Sequence, residues 1–182
     1  FEGVHFDYGE GETRVNVLSD ITFNVQAGKT LGIVGPPGSG KSTIARLIPR
    51  LYEVTGGRIL IDGQDVRDVS LHSLRGSVGG VQQDSFVFTA SVDSNIAYGN
   101  PWSDEAGVIQ AGRDAQLHDF ISDLPGNYQT LVGERGVSLS GGQRQRVSIA
   151  RGNLVNAPIC ILDDATAAID ADTERRIHDA VI

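Results

Sequence analysis

The 182-residue sequence predicts an α/β fold with a mainly parallel sheet, and three patterns carry that prediction. Short apolar runs alternate with stretches of helical periodicity, as in chains whose strands are joined by helices. Two runs, Leu31–Val34 and Ile159–Leu162, are apolar without a break, which is typical of strands covered on both faces. A glycine-rich loop follows the first of these runs and leads directly into a helical stretch.

The amino-terminal part predicts a small antiparallel β unit. Alternating residues around Val4–Phe6 and from Val15 to Val25 flank a turn-rich segment at Gly9–Glu12, and this pattern indicates two paired strands. Beyond the glycine-rich loop we expect a helix at 42–51, a strand at 58–61 and a strand at 78–81.

Helical periodicity dominates the middle of the sequence, from about Ser91 to Phe120, with breaks at Gly99–Pro101 and Leu124–Asn127. A helix is predicted to begin at Ser140 and run through Arg151, and another covers Asp170 to the end. We therefore predict one domain over residues 1–182 in three parts. These are a mostly antiparallel β part at 1–30, a core at 31–83 and 153–182 that contains the glycine-rich loop, and a helical subdomain at about 84–152.

Composition narrows the function classes. The net charge is −8 and the pI is about 4.8, which argues against a nucleic acid partner. The single cysteine, Cys160, excludes an internal disulfide, and its apolar neighbours predict burial as a small hydrophobic residue. No apolar run approaches the roughly 18 residues that a membrane span needs.

The glycine-rich loop fits the pattern G-x-x-x-x-G-K-[ST] of a phosphate-binding loop. Its residues are Gly35, Pro36, Pro37, Gly38, Ser39, Gly40, Lys41 and Ser42, followed by Thr43. Glycines allow the backbone N–H groups to point at phosphate oxygens, and the helix that follows adds partial positive charge. We expect Lys41 to reach the β- and γ-phosphates of ATP and Ser42 to ligate Mg²⁺.

Asp163 directly follows the apolar run Ile159–Leu162. Ligands of such sheets bind beyond the carboxyl ends of the strands, so Asp163 is placed to hold Mg²⁺ directly or through water. An aspartate after an apolar strand is by itself often structural. Combined with the phosphate loop, it favours a magnesium–nucleotide site.

A second glycine-rich junction opens a helix at Ser140, Gly141, Gly142 and Gln143. A hydroxyl and bare backbone N–H groups at a helix start can bind an anion, although an ordinary serine cap explains the same pattern. The wider context decides between them. With Leu139–Gln143 reading LSGGQ, residues 35–43 reading GPPGSGKST and residues 161–164 reading ILDD, the sequence resembles an ABC transporter nucleotide-binding (ATPase) domain along its whole length.

The resemblance implies further site residues. Tyr8 matches the aromatic residue that stacks on adenine, and Gln83 matches the glutamine that contacts Mg²⁺ and the attacking water. Ala167–Asp170 matches the D-loop. The family pairs two such domains head to tail, so that Ser140, Gly141, Gly142 and Gln143 would serve the ATP of the partner domain. Lys41, Gln83 and the residue after Asp163 are then the candidate catalytic groups.

Thr130–Gly136 resembles the X-loop of exporters in which a membrane domain is fused to the ATPase. That branch implies contact between Glu134, Arg135 and the same exporter's transmembrane domain, on the cytoplasmic side of the membrane. The preference for arginine over lysine favours a bacterial source. Two other readings stay open, a soluble ABC ATPase and a regulatory ATP-binding module, whereas a kinase or GTPase would leave LSGGQ unexplained.

Two departures from the family pattern matter. The residue after Asp163 is normally glutamate but here is Asp164, one methylene shorter. We expect a weakened ATP site within a heterodimer, with an ordinary homodimer as the alternative, because small displacements of a catalytic group can cost about a hundredfold in rate. The family's switch histidine would lie past Ile182, so we expect a C-terminally truncated domain with weak activity of its own.

Overall fold

The computed structural model describes residues 1–9, 11–81, 83, 85–134 and 136–181, with the side chain of Glu12 left aside. The chain divides into two compact units, one from Phe1 to Val78 and one from Gly79 onward. Each unit has a hydrophobic core of its own. No described helix is long and apolar enough to span a membrane.

The first unit is built on a three-stranded antiparallel sheet in the order β2-β1-β3. Its strands are β1 (Glu2–Tyr8), β2 (Val15–Ile21) and β3 (Gly56–Arg58), and a small antiparallel pair follows, β4 (Leu60–Ile61) with β5 (Gln64–Asp65). The core side chains are Val4, Phe6, Leu18, Ile44, Leu47, Ile59, Val66 and Leu74. The predicted antiparallel pair at the amino terminus is confirmed.

Two helices complete the first unit, α1 (Lys41–Leu47) and α2 (Leu71–Gly76). Helix α1 buries Ile44 and Leu47, which are three residues apart and so share one face. Ser70 caps α2 by accepting a hydrogen bond from the Ser73 N–H at 3.2 Å. Helix α1 ends at Leu47, so it is shorter than the helix predicted at 42–51.

The second unit is mostly helical, with two small strand pairs. The helices are α3 (Val92–Ala97), α4 (Glu105–Asp114), α5 (His118–Ser122), α6 (Gly141–Leu154) and α7 (Ala171–Val181). The strands are β6 (Val78–Val81), β7 (Ala90–Ser91), β8 (Leu131–Val132) and β9 (Ile159–Leu162), in the pairs β6-β9 and β7-β8. The helices predicted for the middle, for 140–151 and for the carboxyl end are confirmed.

Strands β6 and β9 run in the same direction. Gly79, near the start of β6, lies beside Ala157 and Ile159, near the start of β9. Val81, at the end of β6, accepts a hydrogen bond through its carbonyl from the N–H of Asp163, just after the end of β9, at 2.9 Å. Start therefore lies beside start and end beside end, as in a parallel pair. The mixed α/β class is confirmed, but the described strands form four small sheets rather than one mainly parallel sheet.

Two strand-level expectations are wrong. Leu31–Val34 is not a strand in the described chain, and Leu31, Ile33 and Val34 are 45%, 41% and 94% exposed. An apolar run becomes a strand only where a neighbour takes up its backbone hydrogen bonds, and no described pairing does so here. Cys160 is exposed rather than buried, because it shares the outward face of β9 with Leu162 while Ile159 and Ile161 are half-buried.

Candidate functional site

The phosphate loop is a tight, exposed turn that ends in the α1 helix. The Ser39 N–H donates to the Pro36 carbonyl at 3.2 Å, and Gly38 and Gly40 adopt φ of +80° and +91°. A side chain at Gly40 would also meet Leu18, since a Cβ there would lie 2.7 Å from its Cδ2 atom. Glycine is therefore required at Gly40 both by backbone conformation and by close packing on β2.

Lys41 folds back across this turn. Its ammonium group donates to the Gly35 carbonyl at 2.9 Å and to the Pro36 carbonyl at 3.0 Å. Gly40 stands at the N-cap of α1, and no described side chain caps the helix there. A cation and helix N–H groups without a side-chain cap are thus gathered at one exposed turn, and this donor set fits a polyphosphate.

Tyr8, the predicted adenine-stacking residue, lies at the end of β1. Its hydroxyl is 3.3 Å from the hydroxyl of Thr43, which is 6% exposed on α1. Its ring packs edge-on against Phe6 and Tyr52, with centroids 4.7 and 5.3 Å apart. The structure therefore brings Tyr8 together with the first turn of α1, within the first unit.

The two predicted carboxylates follow β9 in the second unit. The backbone of Asp163 is fixed by its bond to Val81, at the carboxyl end of β6. Asp164 has φ +51°, a left-handed conformation that is uncommon outside glycine, and its side chain is exposed. The two consecutive carboxylates therefore follow β9 directly, with the backbone of Asp164 in a left-handed turn.

Gln83 lies beside Asp164. Its side-chain amide nitrogen donates to the Asp164 carboxylate at 3.2 Å, so the predicted Q-loop glutamine and the predicted catalytic carboxylate are in contact. The amide oxygen of Gln83 remains an acceptor. Carboxylate and amide oxygens are the ligands that Mg²⁺ takes up, commonly one or two of them together with substrate phosphates.

The signature junction is organised differently. Ser140 caps α6 by accepting from the Gln143 N–H at 3.3 Å, and the Gln143 side chain accepts from the Ser140 N–H at 2.8 Å. This reciprocal arrangement is a capping box. Arg144 adds a bond to the Leu139 carbonyl at 2.6 Å, so the start of the helix is held by its own side chains.

The signature glycines pack against the predicted D-loop. A Cβ at Gly142 would lie 2.7 Å from the carbonyl oxygen of Ala168, whereas one at Gly141 would lie 3.6 Å from the Ala168 side chain. Gly142 is therefore required for close approach of the two segments, and Gly141 is not. Sequence reasoning assigned both glycines to anion binding and missed this contact.

Sequence reasoning also missed Gln145. This side chain is 7% exposed, and its carbonyl oxygen accepts a hydrogen bond from the Ala168 N–H at 2.8 Å. A signal was present, because Gln145 shares a helix face with the buried Ile149, four residues later. A polar residue on the apolar face of a helix is expected to be buried and to form a hydrogen bond there.

A cavity of about 310 Å³ lies next to the predicted X-loop. It is lined by residues that include Ser85, Phe86, Gly133, Glu134 and Leu139. Glu134 is exposed and Phe86 is 63% exposed. Arg135, the other predicted X-loop contact, lies outside the described residues.

Lys41, Ser42 and Tyr8 belong to the first unit, and Gln83, Asp163, Asp164 and the signature residues belong to the second. The structure gathers each group within its own unit. No cluster of three or more histidine, cysteine or acidic side chains that could hold a metal occurs in the described part of the chain.

Comparison with known proteins identifies the family of the chain. A family profile described as ABC transporter matches residues 18–167. A lipid A-core flippase of Syntrophus aciditrophicus, named as ATP-dependent, is 50% identical over 165 residues, which is 91% of this chain and 28% of that protein. YgaD of Bacillus subtilis, whose name assigns it provisionally to multidrug export as an ATP-binding/permease protein, is 48% identical over 181 residues, 100% of this chain and 31% of that protein.

Among solved structures, a bacterial Atm1-family ABC exporter with ATP bound superposes with a TM-score of 0.92 at 48% identity. The match covers 99% of this chain and 31% of that protein. The chain therefore spans about a third of the length of the relatives that it matches. With the family profile over most of its residues, it belongs to the ABC transporter family and is an ATP-binding domain of that family.

Proposed function

We propose that this chain binds Mg-ATP and, in a head-to-tail dimer with a second ABC nucleotide-binding domain, hydrolyses it to drive export across a membrane. The observation that carries the proposal is the phosphate loop. Gly40 is locked at positive φ against β2, and Lys41 is folded over the turn by two carbonyl contacts. A phosphate chain would offer stronger charge-assisted bonds to the same ammonium group.

The chain's own residues bind and orient the nucleotide. Lys41 and the N–H groups at the start of α1 bind the phosphates, and Tyr8 offers an aromatic ring for adenine. Ser42, Asp163 and the Gln83 amide oxygen would hold Mg²⁺, which neutralises charge on the phosphates when it is bound. Catalysis at such a site consists mainly of positioning and charge stabilisation.

The signature junction serves the partner's ATP. The Ser140 oxygen already accepts a hydrogen bond from the Gln143 N–H. A hydroxyl can accept and donate at once, so its proton remains able to bond a phosphate oxygen of the partner's nucleotide. The capping box therefore prepares this junction before any ligand arrives.

Asp164 makes this chain's own ATP site the weaker one of a heterodimer. The side chain is one methylene shorter than glutamate, and its carboxylate is held by Gln83 in a left-handed turn. A carboxylate held at this position polarises the attacking water less effectively. A regulatory role follows as the second candidate, in which ATP binding at this site matters more than turnover.

The names of the relatives support export. The relative named as an ATP-binding/permease protein supports a transmembrane domain on the same polypeptide, which would hold this domain at the cytoplasmic face. The cavity at Phe86, Gly133 and Glu134 supports the X-loop as the surface that meets that membrane domain. A soluble ABC ATPase without transport is the alternative.

Fractionation of cells that express the full-length protein tests the proposal. We expect Mg-ATP hydrolysis in the membrane fraction, and ATP-dependent transport after reconstitution into lipid vesicles with a fluorescent lipid or drug as the probe. Hydrolysis confined to the soluble fraction would leave ATP binding intact and remove the export function.

A further inference from the structure

Gln145 occupies a position that joins two functional segments of the second unit. It lies on α6, two residues after the signature, and it accepts the Ala168 N–H at 2.8 Å while only 7% exposed. Ala168 belongs to the segment that directly follows Asp163 and Asp164. One buried hydrogen bond thus ties the signature helix to the chain that leaves the carboxylate pair.

The packing around this bond supports a fixed arrangement. Gly142 approaches the Ala168 carbonyl so closely that a Cβ would lie 2.7 Å from it. Ala165, between Asp164 and Ala168, is 3% exposed. The segment is therefore buried at Ala165 and packed against α6 at Ala168.

The other end of the segment is anchored to α7. Thr166 donates to Glu174 at 2.6 Å, and Asp170 accepts the Thr173 N–H at 3.0 Å. Hydrogen bonds from Thr173, first from its backbone and then from its side chain, hold the pKa of Asp170 below its usual value. Gln145 supplies the side-chain hydrogen bond that reaches this segment from α6.

We propose that Gln145 is a positioning residue that fastens the segment after the carboxylate pair to the signature helix. The inference rests on the proposed function, in which the carboxylates serve this chain's ATP and the signature serves the partner's ATP. Under that assignment, the Gln145–Ala168 bond makes the two ATP sites of a dimer move as one body through this chain. Energetic coupling between the sites follows from such a shared rigid element.

The test uses the full-length protein with its partner and compares Gln145→Leu with Gln145→Glu. Leucine removes the acceptor at similar volume, and a neighbouring cavity of about 350 Å³ leaves room for its branched side chain. Glutamate keeps an oxygen that can accept the Ala168 N–H. Gln110→Leu is the matched control, because Gln110 is exposed on α4 and its side-chain amide donates to Asp114 at 2.8 Å.

We expect Gln145→Leu to lower kcat for ATP about tenfold with KM within about twofold, as for loss of an orienting contact. Gln145→Glu should recover most of the loss, and Gln110→Leu should match the wild type. Hydrogen exchange at the Ala168 amide should accelerate about tenfold in Gln145→Leu, while the Val147 amide within α6 stays as protected as before.

The inference alone would be overturned if the wild type hydrolysed ATP and Gln145→Leu had the same kcat and the same Ala168 exchange as the wild type. Loss in Gln145→Leu without recovery in Gln145→Glu would also overturn it, because the acceptor would then not be the relevant feature. Absence of Mg-ATP turnover in the wild type would overturn the proposed function and, with it, the coupling through Gln145.

Discussion

The two glycine-rich junctions look alike in sequence but differ in how their helix starts are satisfied. At Gly35–Lys41, the helix has a left-handed glycine at its N-cap, no capping side chain among the described residues, and a lysine resting on loop carbonyls. At Leu139–Gln143, a capping box and an arginine satisfy the helix start from within.

Under the proposed function, this difference separates two ways of binding a phosphate. At the first junction no described side chain caps the helix and the lysine donates to loop carbonyls, so we expect a bound phosphate to add order to the loop. At the second junction the capping box already satisfies Ser140 and Gln143, and a ligand could use only the further hydrogen bonds that these groups can make. We expect substitutions at the first to act on binding and turnover, and substitutions at the second to act on stability as well.

The largest expected effect is at Lys41. Lys41→Ala in the full-length protein should lower ATP hydrolysis at least about a hundredfold, because a cation aimed at the transferring phosphate contributes mainly in the transition state. Lys29, the other lysine of the chain, is exposed, so Lys29→Ala is the matched control and should stay within about twofold of the wild type. Equal losses in both variants would contradict a specific role for Lys41.

Gly142 gives the next largest effect, on stability. Gly142→Ala should destabilise the fold by about 2 kcal/mol, because a Cβ 2.7 Å from the Ala168 carbonyl forces the two segments apart. Gly141→Ala, with 3.6 Å to its nearest neighbour, should be neutral or stabilising by a few tenths to about 1 kcal/mol. Thermal unfolding measures both, and equal shifts would show that the close approach does not matter.

The change in ATP turnover expected for a substitution at Asp164 is intermediate in size. In the full-length protein with its partner, Asp164→Glu should raise turnover at this site about tenfold, because the longer side chain brings the carboxylate nearer to the attacking water. ATP binding, measured in parallel, should be unchanged. Unaltered turnover with intact binding would sink the weakened-site hypothesis and favour an ordinary homodimer.

The smallest effects come from the serine caps. Ser140→Ala and Ser70→Ala should each cost about 1 kcal/mol, since each removes the side-chain acceptor of a helix start. Only Ser140→Ala should also lower ATP turnover, because Ser70 caps α2 and has no part in the proposed site. If both variants lost stability and neither lost turnover, Ser140 would be a cap and nothing more.

Features encoded locally were predictable from the sequence. The start of α6, with Ser140 as its N-cap, is encoded in the four residues Ser140–Gln143, and β9 is encoded in its own apolar run. The phosphate-loop residues were predicted as a pattern, and the structure adds the positive φ values and the folded lysine. These site roles remain predictions.

Features that depend on distant partners were not predictable. Leu31–Val34 carries a strand pattern, yet strand formation requires a neighbour, and no described strand pairs with it. The exposure of Cys160 follows from which face of β9 is covered. The Gln145–Ala168 bond joins residues 23 positions apart, so only the fold reveals it.

Amide hydrogen exchange at residues 35–43 of the full-length protein, with and without saturating Mg-ATP, tests the central claim most directly. The account predicts protection of these amides by at least about tenfold in the wild type and none in Lys41→Ala, because the phosphates would take up the N–H groups of the loop. Unchanged exchange at 35–43 in the wild type, under conditions where Mg-ATP is bound, would contradict it.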